Sequence, residues 1–169
     1  EAIELYWGLL EDATSLDEEK RLVGLLAPIY EQRGDFDHLL SRLELRGREA
    51  SNMRTATLLA SVAHSAVRDF GSARQTLEPL LVDNPRDPDL LTEVVNLADA
   101  ASEPEVALGY QQQLVALADT PEHRSRLLKF MVDSGQIQQA EAALQRLQAM
   151  DNPVEMVDLI NRTYSRGDT

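Results

Sequence analysis

Residues 26–43, LAPIYEQRGDFDHLLSRL, return one period later as residues 60–77, ASVAHSAVRDFGSARQTL. Aligning Leu26, Tyr30, Gly34, Phe36, Leu39 and Leu43 with Ala60, His64, Arg68, Phe70, Ala73 and Leu77 sets the register. The same register continues through Val94, Ala98, Ser102, Pro104, Ala107 and Gln111, and then Leu127, Met131, Gly135, Ile137, Ala140 and Leu144. The steps are 34, 34 and 33 residues. A fixed period of this length marks a stack of supersecondary units, each too small to bury its own apolar face.

Within each period the apolar residues recur three and four apart, as in Leu22, Leu25, Leu26 and Ile29 and again in Leu39, Leu40 and Leu43. That spacing puts them on one face of a helix. The short segments GDF (34–36), RDF (68–70), SEP (102–104) and GQI (135–137) interrupt it at one place per period, where small or polar residues allow one helix to stop and the next to start. Helices are therefore expected over 1–12, 16–33, 36–46, 53–68, 70–82, 88–101, 104–118, 121–134, 137–150 and 153–165. Ser15 with Glu18 and Ser102 with Glu105 have capping-box spacing. Asp87-Pro88, Thr120-Pro121 and Asn152-Pro153 each place a capping side chain before a proline at the first helical position, where the missing N–H is not needed. Pro28 and Pro79 fall inside helices, where kinks and not breaks are expected.

Composition agrees with an all-α chain. Of the 169 residues 43% are apolar but only 5% aromatic, a mixture dominated by Leu, Ala and Val that fits helices better than strands. The longest apolar run, Leu22 to Ile29, is far short of the roughly 20 residues that span a bilayer. A net charge of −13, from 29 acidic and 16 basic residues, argues against a large phosphate-binding surface, so nucleic acid is not an expected partner. The acid is uneven: residues 1–19 carry seven carboxylates and no base, and residues 83–122 carry nine against Arg86 alone. The absence of cysteine removes disulfides, thiol nucleophiles and thiolate metal sites.

The periodic pattern resembles the tetratricopeptide repeat, a helix–turn–helix unit with an aromatic before the turn, a glycine at it and an alanine early in the second helix. Leu26, Ala27, Tyr30, Gly34 and Phe36 supply that pattern first, and Phe70, Ala73, Leu77, Leu80 and Pro85 supply it second. Leu127, Met131, Gly135, Ala140, Leu144 and Leu147 supply it in the fourth repeat. The third keeps Ala98, Ala107 and Leu114, but Gln111 stands where a large apolar residue is usual, with Tyr110 as its substitute. The family's early tryptophan is missing throughout, and Leu39 replaces the small alanine in the first repeat.

The resemblance implies an all-α right-handed superhelix of antiparallel helix pairs. Residues 1–12 read as the second helix of a preceding repeat, 16–50, 51–86, 87–119 and 120–152 as four repeats, and 153–169 as the first helix of a following one. The chain is on this reading a piece of a longer array. Leu5 and Leu9 at one end, and Val157, Ile160 and Tyr164 at the other, then form apolar stripes open to weak self-association.

No catalytic arrangement is present: there is no glycine-rich phosphate loop, no nucleophile elbow and no zinc-binding histidine pair. His64 aligns with Tyr30 on a packed face, and His38 and His123 lie near helix starts, where solvation is expected. Pro85 and Pro88 interrupt any calcium-loop spacing of Asp83, Asp87 and Asp89. Neither catalysis nor a cofactor or metal site is expected.

The resemblance instead implies a concave surface, lined by the first helix of each pair, that receives a peptide or partner helix. Its outward positions include Leu58 and Val62, and its centre is taken as Asn96, Asp99, Arg126 and Lys129. The clamp that some relatives use to hold a terminal carboxylate is not reproduced, because Leu58, Val62, Glu93 and Glu122 stand where amides and bases are required. The expected function is a non-catalytic scaffold for another protein or peptide. The alternatives are a structural spacer with no ligand of its own, or a regulatory region of a multidomain enzyme.

Overall fold

The computed structural model describes residues 2–148. Among them it has nine helices and no strand: α1 (Ala2–Glu11), α2 (Leu16–Gln32), α3 (Phe36–Glu49), α4 (Met53–Ala66), α5 (Phe70–Asp83), α6 (Pro88–Ala100), α7 (Pro104–Leu117), α8 (Pro121–Asp133) and α9 (Ile137–Gln148). The helix expected over 153–165, its cap at Asn152 and the stripe from Val157 to Tyr164 lie outside the described residues. α2 and α5 run unbroken through Pro28 and Pro79.

The turns inside the helix pairs are built alike. Gly34, Arg68, Ser102 and Gly135 all have positive φ, at 69°, 64°, 59° and 77°. The next residue in each turn, Asp35, Asp69, Glu103 or Gln136, donates its N–H to the carbonyl five residues back, on Tyr30, His64, Ala98 or Met131, at 2.7–3.0 Å. This is the Schellman closure of a helix C-terminus, which satisfies carbonyls that the helix leaves open. These four left-handed residues are the four that the sequence period aligns; a fifth, Ser51 at 51°, closes α3 between two pairs.

Helix starts follow from side-chain caps. Ser15 Oγ accepts from the Glu18 N–H at 3.3 Å, and Glu18 Oε2 reaches back to the Thr14 N–H at 3.2 Å. Asp87 Oδ1 accepts from the N–H groups of Asp89 and Leu90 at 3.0 and 3.2 Å, and Thr120 Oγ1 accepts from the His123 N–H at 3.2 Å. Ser102 is a correction to the expected capping box. Its left-handed backbone closes α6, so Glu103 takes the cap position and makes no side-chain cap bond. Asn52 and Asp69 are caps that the periodicity did not single out; Asn52 Oδ1 accepts from Thr55 N–H and Asp69 Oδ1 from Ser72 N–H.

Two compact units divide between Asn84 and Pro85. In the first, α1 packs on α2, α2 on α3 and α4, α3 on α4, and α4 on α5. Its core gathers Trp7, Leu10, Val23, Leu26, Ala27, Tyr30, Leu39, Leu43, Leu59 and Ala63. Trp7 Nε1 donates to Tyr30 Oη at 3.0 Å, which ties α1 to α2 through a polar contact inside that core. Leu5 and Leu9 on the other side of α1 are 66% and 45% exposed.

In the second unit α6 packs on α7, α7 on α8 and α8 on α9. Leu90, Leu91, Val94, Val95 and Ala98 are buried from α6, and Ala107, Leu108 and Leu114 from α7. Gln111 is fully buried there, not replaced by the half-buried Tyr110. Its Nε2 donates to the carbonyl of His123 at 2.9 Å and lies 3.3 Å from His123 Nδ1. His123, expected in solvent, is therefore partly covered, because the polar side chain opposite needs its carbonyl.

Candidate partner-binding surface

The structure brings Asn96 and Asp99 of α6 together with Arg126 and Lys129 of α8. Arg126 Nη2 donates to Asn96 Oδ1 at 2.8 Å, and Lys129 Nζ donates to Asp99 Oδ1 at 2.5 Å. Both contacts join residues 30 positions apart, and on each helix the two participants are three residues apart, so they form successive rungs between two helix faces. Lys129 also lies 3.2 Å from Asp133, one turn along α8.

Beneath the rungs is Phe130, fully buried. Lys129 Nζ stands 4.5 Å and Arg126 Cζ 5.8 Å from its ring centroid, so the aromatic face supports both cations. Burial pulls the Arg126 guanidinium below its ordinary pKa, and the nearby Asp99 carboxylate works against that shift. Asn96 and Asp99 are exposed and Arg126 and Lys129 half-buried. The surface therefore presents acceptors from α6 and donors from α8, over an apolar base.

In the first unit the outward positions differ from expectation. Leu58 is 6% exposed and belongs to the interior, and Val62 packs against the core cluster. His64 packs edge-on against Phe36 with ring centroids 5.2 Å apart, and its Nδ1 lies 3.5 Å from Asp69 Oδ2. Hydrogen bonds from Ser72 hold the Asp69 carboxyl below its ordinary value, burial opposes them, and His64 adds a smaller push downward. Among the described residues no three acidic or histidine side chains are grouped as a metal ion would require. No described helix is long and apolar enough to cross a membrane.

One feature that the periodicity missed is the partly buried pair of Arg46 and Glu19, 2.5 Å apart, in which Arg46 Nη2 also donates to the carbonyl of Leu10 at 3.1 Å. The only sequence signal near it is the run of small residues Gly47, Ala50 and Ala56.

Comparison with known proteins gives a fold. The structure is similar to the crystal structure of a thermophilic TPR (tetratricopeptide repeat) protein from Thermus thermophilus, with a TM-score of 0.53, over 97% of this chain and 88% of that one. The fold is tetratricopeptide-like. Sequence identity across the match is 21%, so the likeness carries the arrangement of helices and not a ligand. No family model matches the tetratricopeptide-like chain, and no curated protein matches it.

Proposed function

We propose that this chain is a non-catalytic protein-interaction scaffold, and that a segment of a partner protein binds across α6 and α8 at Asn96, Asp99, Arg126 and Lys129. The observation that supports this reading is the pair of rungs, which concentrates donors and acceptors from two helices on one exposed face. The exposed Lys129–Asp99 ion pair is worth only about 0–1 kcal/mol, so a partner that offers its own amide or charged groups exchanges with it at little cost. A photo-crosslinking residue at Asn96 should capture a partner that the same residue at Glu78 on α5 does not. An Arg126→Ala, Lys129→Ala variant should lose that capture while keeping its helical circular dichroism. Equal capture from Glu78, or full capture by the variant, would contradict the assignment.

A second reading, that this part of the chain is a spacer, draws on the same geometry, because both bases already have acceptors within the chain. On that reading the double variant lowers the melting temperature and changes no binding.

A further inference from the structure

Two stretches of thirteen residues lack Asp, Glu, Lys and Arg altogether: Thr55–Val67, at α4, and Val106–Ala118, at α7. Every residue of the first is buried or half-buried, as suits a helix inside a core. In the second Gly109, Gln112, Gln113, Ala116 and Leu117 are exposed, Leu117 to 42%. Spaced three and four apart, they form one stripe of α7, opposite the buried Ala107, Gln111 and Leu114. An uncharged exposed face stands out on a chain in which 27% of the residues are charged. Depletion of charge is what marks the centre of a protein interface.

The net charge of −13 sets two copies of the chain against each other wherever carboxylates dominate. The exposed Leu5 and Leu9 of α1 meet that difficulty: Arg42 of α3 lies 4.0 Å from Glu4, but Glu11 and Asp12 at the end of the helix are exposed as well. A second copy would bring the same carboxylates. The stripe on α7 carries no such repulsion. In sequence, charge flanks it only as Glu103 and Glu105 before it and Asp119, Glu122 and Arg124 after it, with Arg124 3.6 Å from Asp119. Its two glutamines each end in an amide that both donates and accepts, so the face is complementary to itself.

We infer that a second copy of this chain docks on α7, antiparallel and about a two-fold axis at Gln113. Such an axis sets Gln113 against Gln113 and Leu117 of each copy against Gly109 of the other. Nothing lies within 4 Å of where a side chain would begin on Gly109, so Leu117 has room there. α7 is about 21 Å long, too short alone to bury the roughly 800 Å2 per partner of a stable complex. The dimer is therefore weak and forms at high chain concentration. It is separate from the surface on α6 and α8, and either assignment can fail without the other.

The test is sedimentation equilibrium of the full chain at concentrations up to about 1 mM. The parent should show a reversible monomer–dimer equilibrium that strengthens as salt rises from about 0.02 to 0.5 M, because salt screens the repulsion and an uncharged face has no ion pair to lose. Gln113→Glu keeps size and helix propensity but sets two carboxylates together at the axis, and should weaken the dimer by about tenfold or more. Leu5→Glu should leave it unchanged. The chain has no cysteine, so Gln113→Cys supplies a single thiol. Mild oxidation should join two copies of that variant through a disulfide, and should not join copies of Gln75→Cys, whose thiol is exposed on α5. Circular dichroism confirms that each variant is folded. A strictly monomeric parent, which would leave the face to another protein, overturns the proposal. So does association that weakens with salt, an unchanged dimer in Gln113→Glu, loss of the dimer in Leu5→Glu, or equal cross-linking from position 75.

Discussion

Arg68 and Ser102 occupy a backbone conformation that suits glycine. At the matching turns of the other two pairs the chain uses Gly34 and Gly135, and nothing lies within 4 Å of where a side chain would begin on either. The cost of a non-glycine residue there is conformational and amounts to about 1–2 kcal/mol. Arg68→Gly and Ser102→Gly should therefore each stabilise the chain by about 1 kcal/mol, and Gly34→Ala should destabilise it by a similar amount. Urea denaturation read by circular dichroism measures both signs. The sequence marked these four positions as turns, because small and polar residues recur there. It did not show that Ser102 closes a helix instead of opening one, since serine serves at either end and only the backbone decides.

Asp69 gives a second prediction at the same scale. Its carboxylate caps α5 by accepting from Ser72, which lowers its pKa from the ordinary 3.8. A carboxyl with a depressed folded-state pKa adds stability that is present above its unfolded value and is lost as pH falls through the folded one. Asp69→Asn keeps a capping oxygen without the charge. The stability difference between parent and variant should be full near neutral pH and should shrink to nothing on acidification below 3.8. A difference that is constant with pH would show that the charge is not involved.

At the scale of helices, the expected and observed boundaries differ by no more than three residues wherever both exist, because caps, prolines and turns are local signals. Packing partners are a different matter. Gln111 looked like a defect in the third pair, yet the structure buries it and gives its amide the carbonyl of His123 on the next helix. Leu58 looked like part of an outward face and is interior. Both depend on contacts between helices, which periodicity within one helix does not encode. Ala73 is a position where the period and the packing agree. It is fully buried on α5, and its carbonyl accepts from Ser61 Oγ of α4 at 2.9 Å. A large side chain cannot enter without separating the two helices, so Ala73→Trp should destabilise by about 1–3 kcal/mol or more. A melting temperature equal to that of the parent would mean that α4 and α5 do not meet there.

Taken as a whole, the molecule repeats one solution: a helix, a left-handed turn, a second helix and a capped restart. That much was legible in the sequence, because each part has its own residue signature. The rungs between α6 and α8 were legible only as a set of polar positions. Their pairing with each other came from the structure, since it depends on the distance between two helices. Within each unit every helix packs on its neighbours along the chain, so that nearest-neighbour packing supplies the stability. Excision of Asn52–Arg86, which removes α4 and α5 and joins Ser51 to the cap at Asp87, tests that claim most directly. Thermal and urea unfolding of the shortened chain, followed by circular dichroism, should show the same helix content per residue and a single cooperative transition at lower stability. Loss of cooperative unfolding, or a collapse in helix content, would contradict it and point instead to one indivisible core.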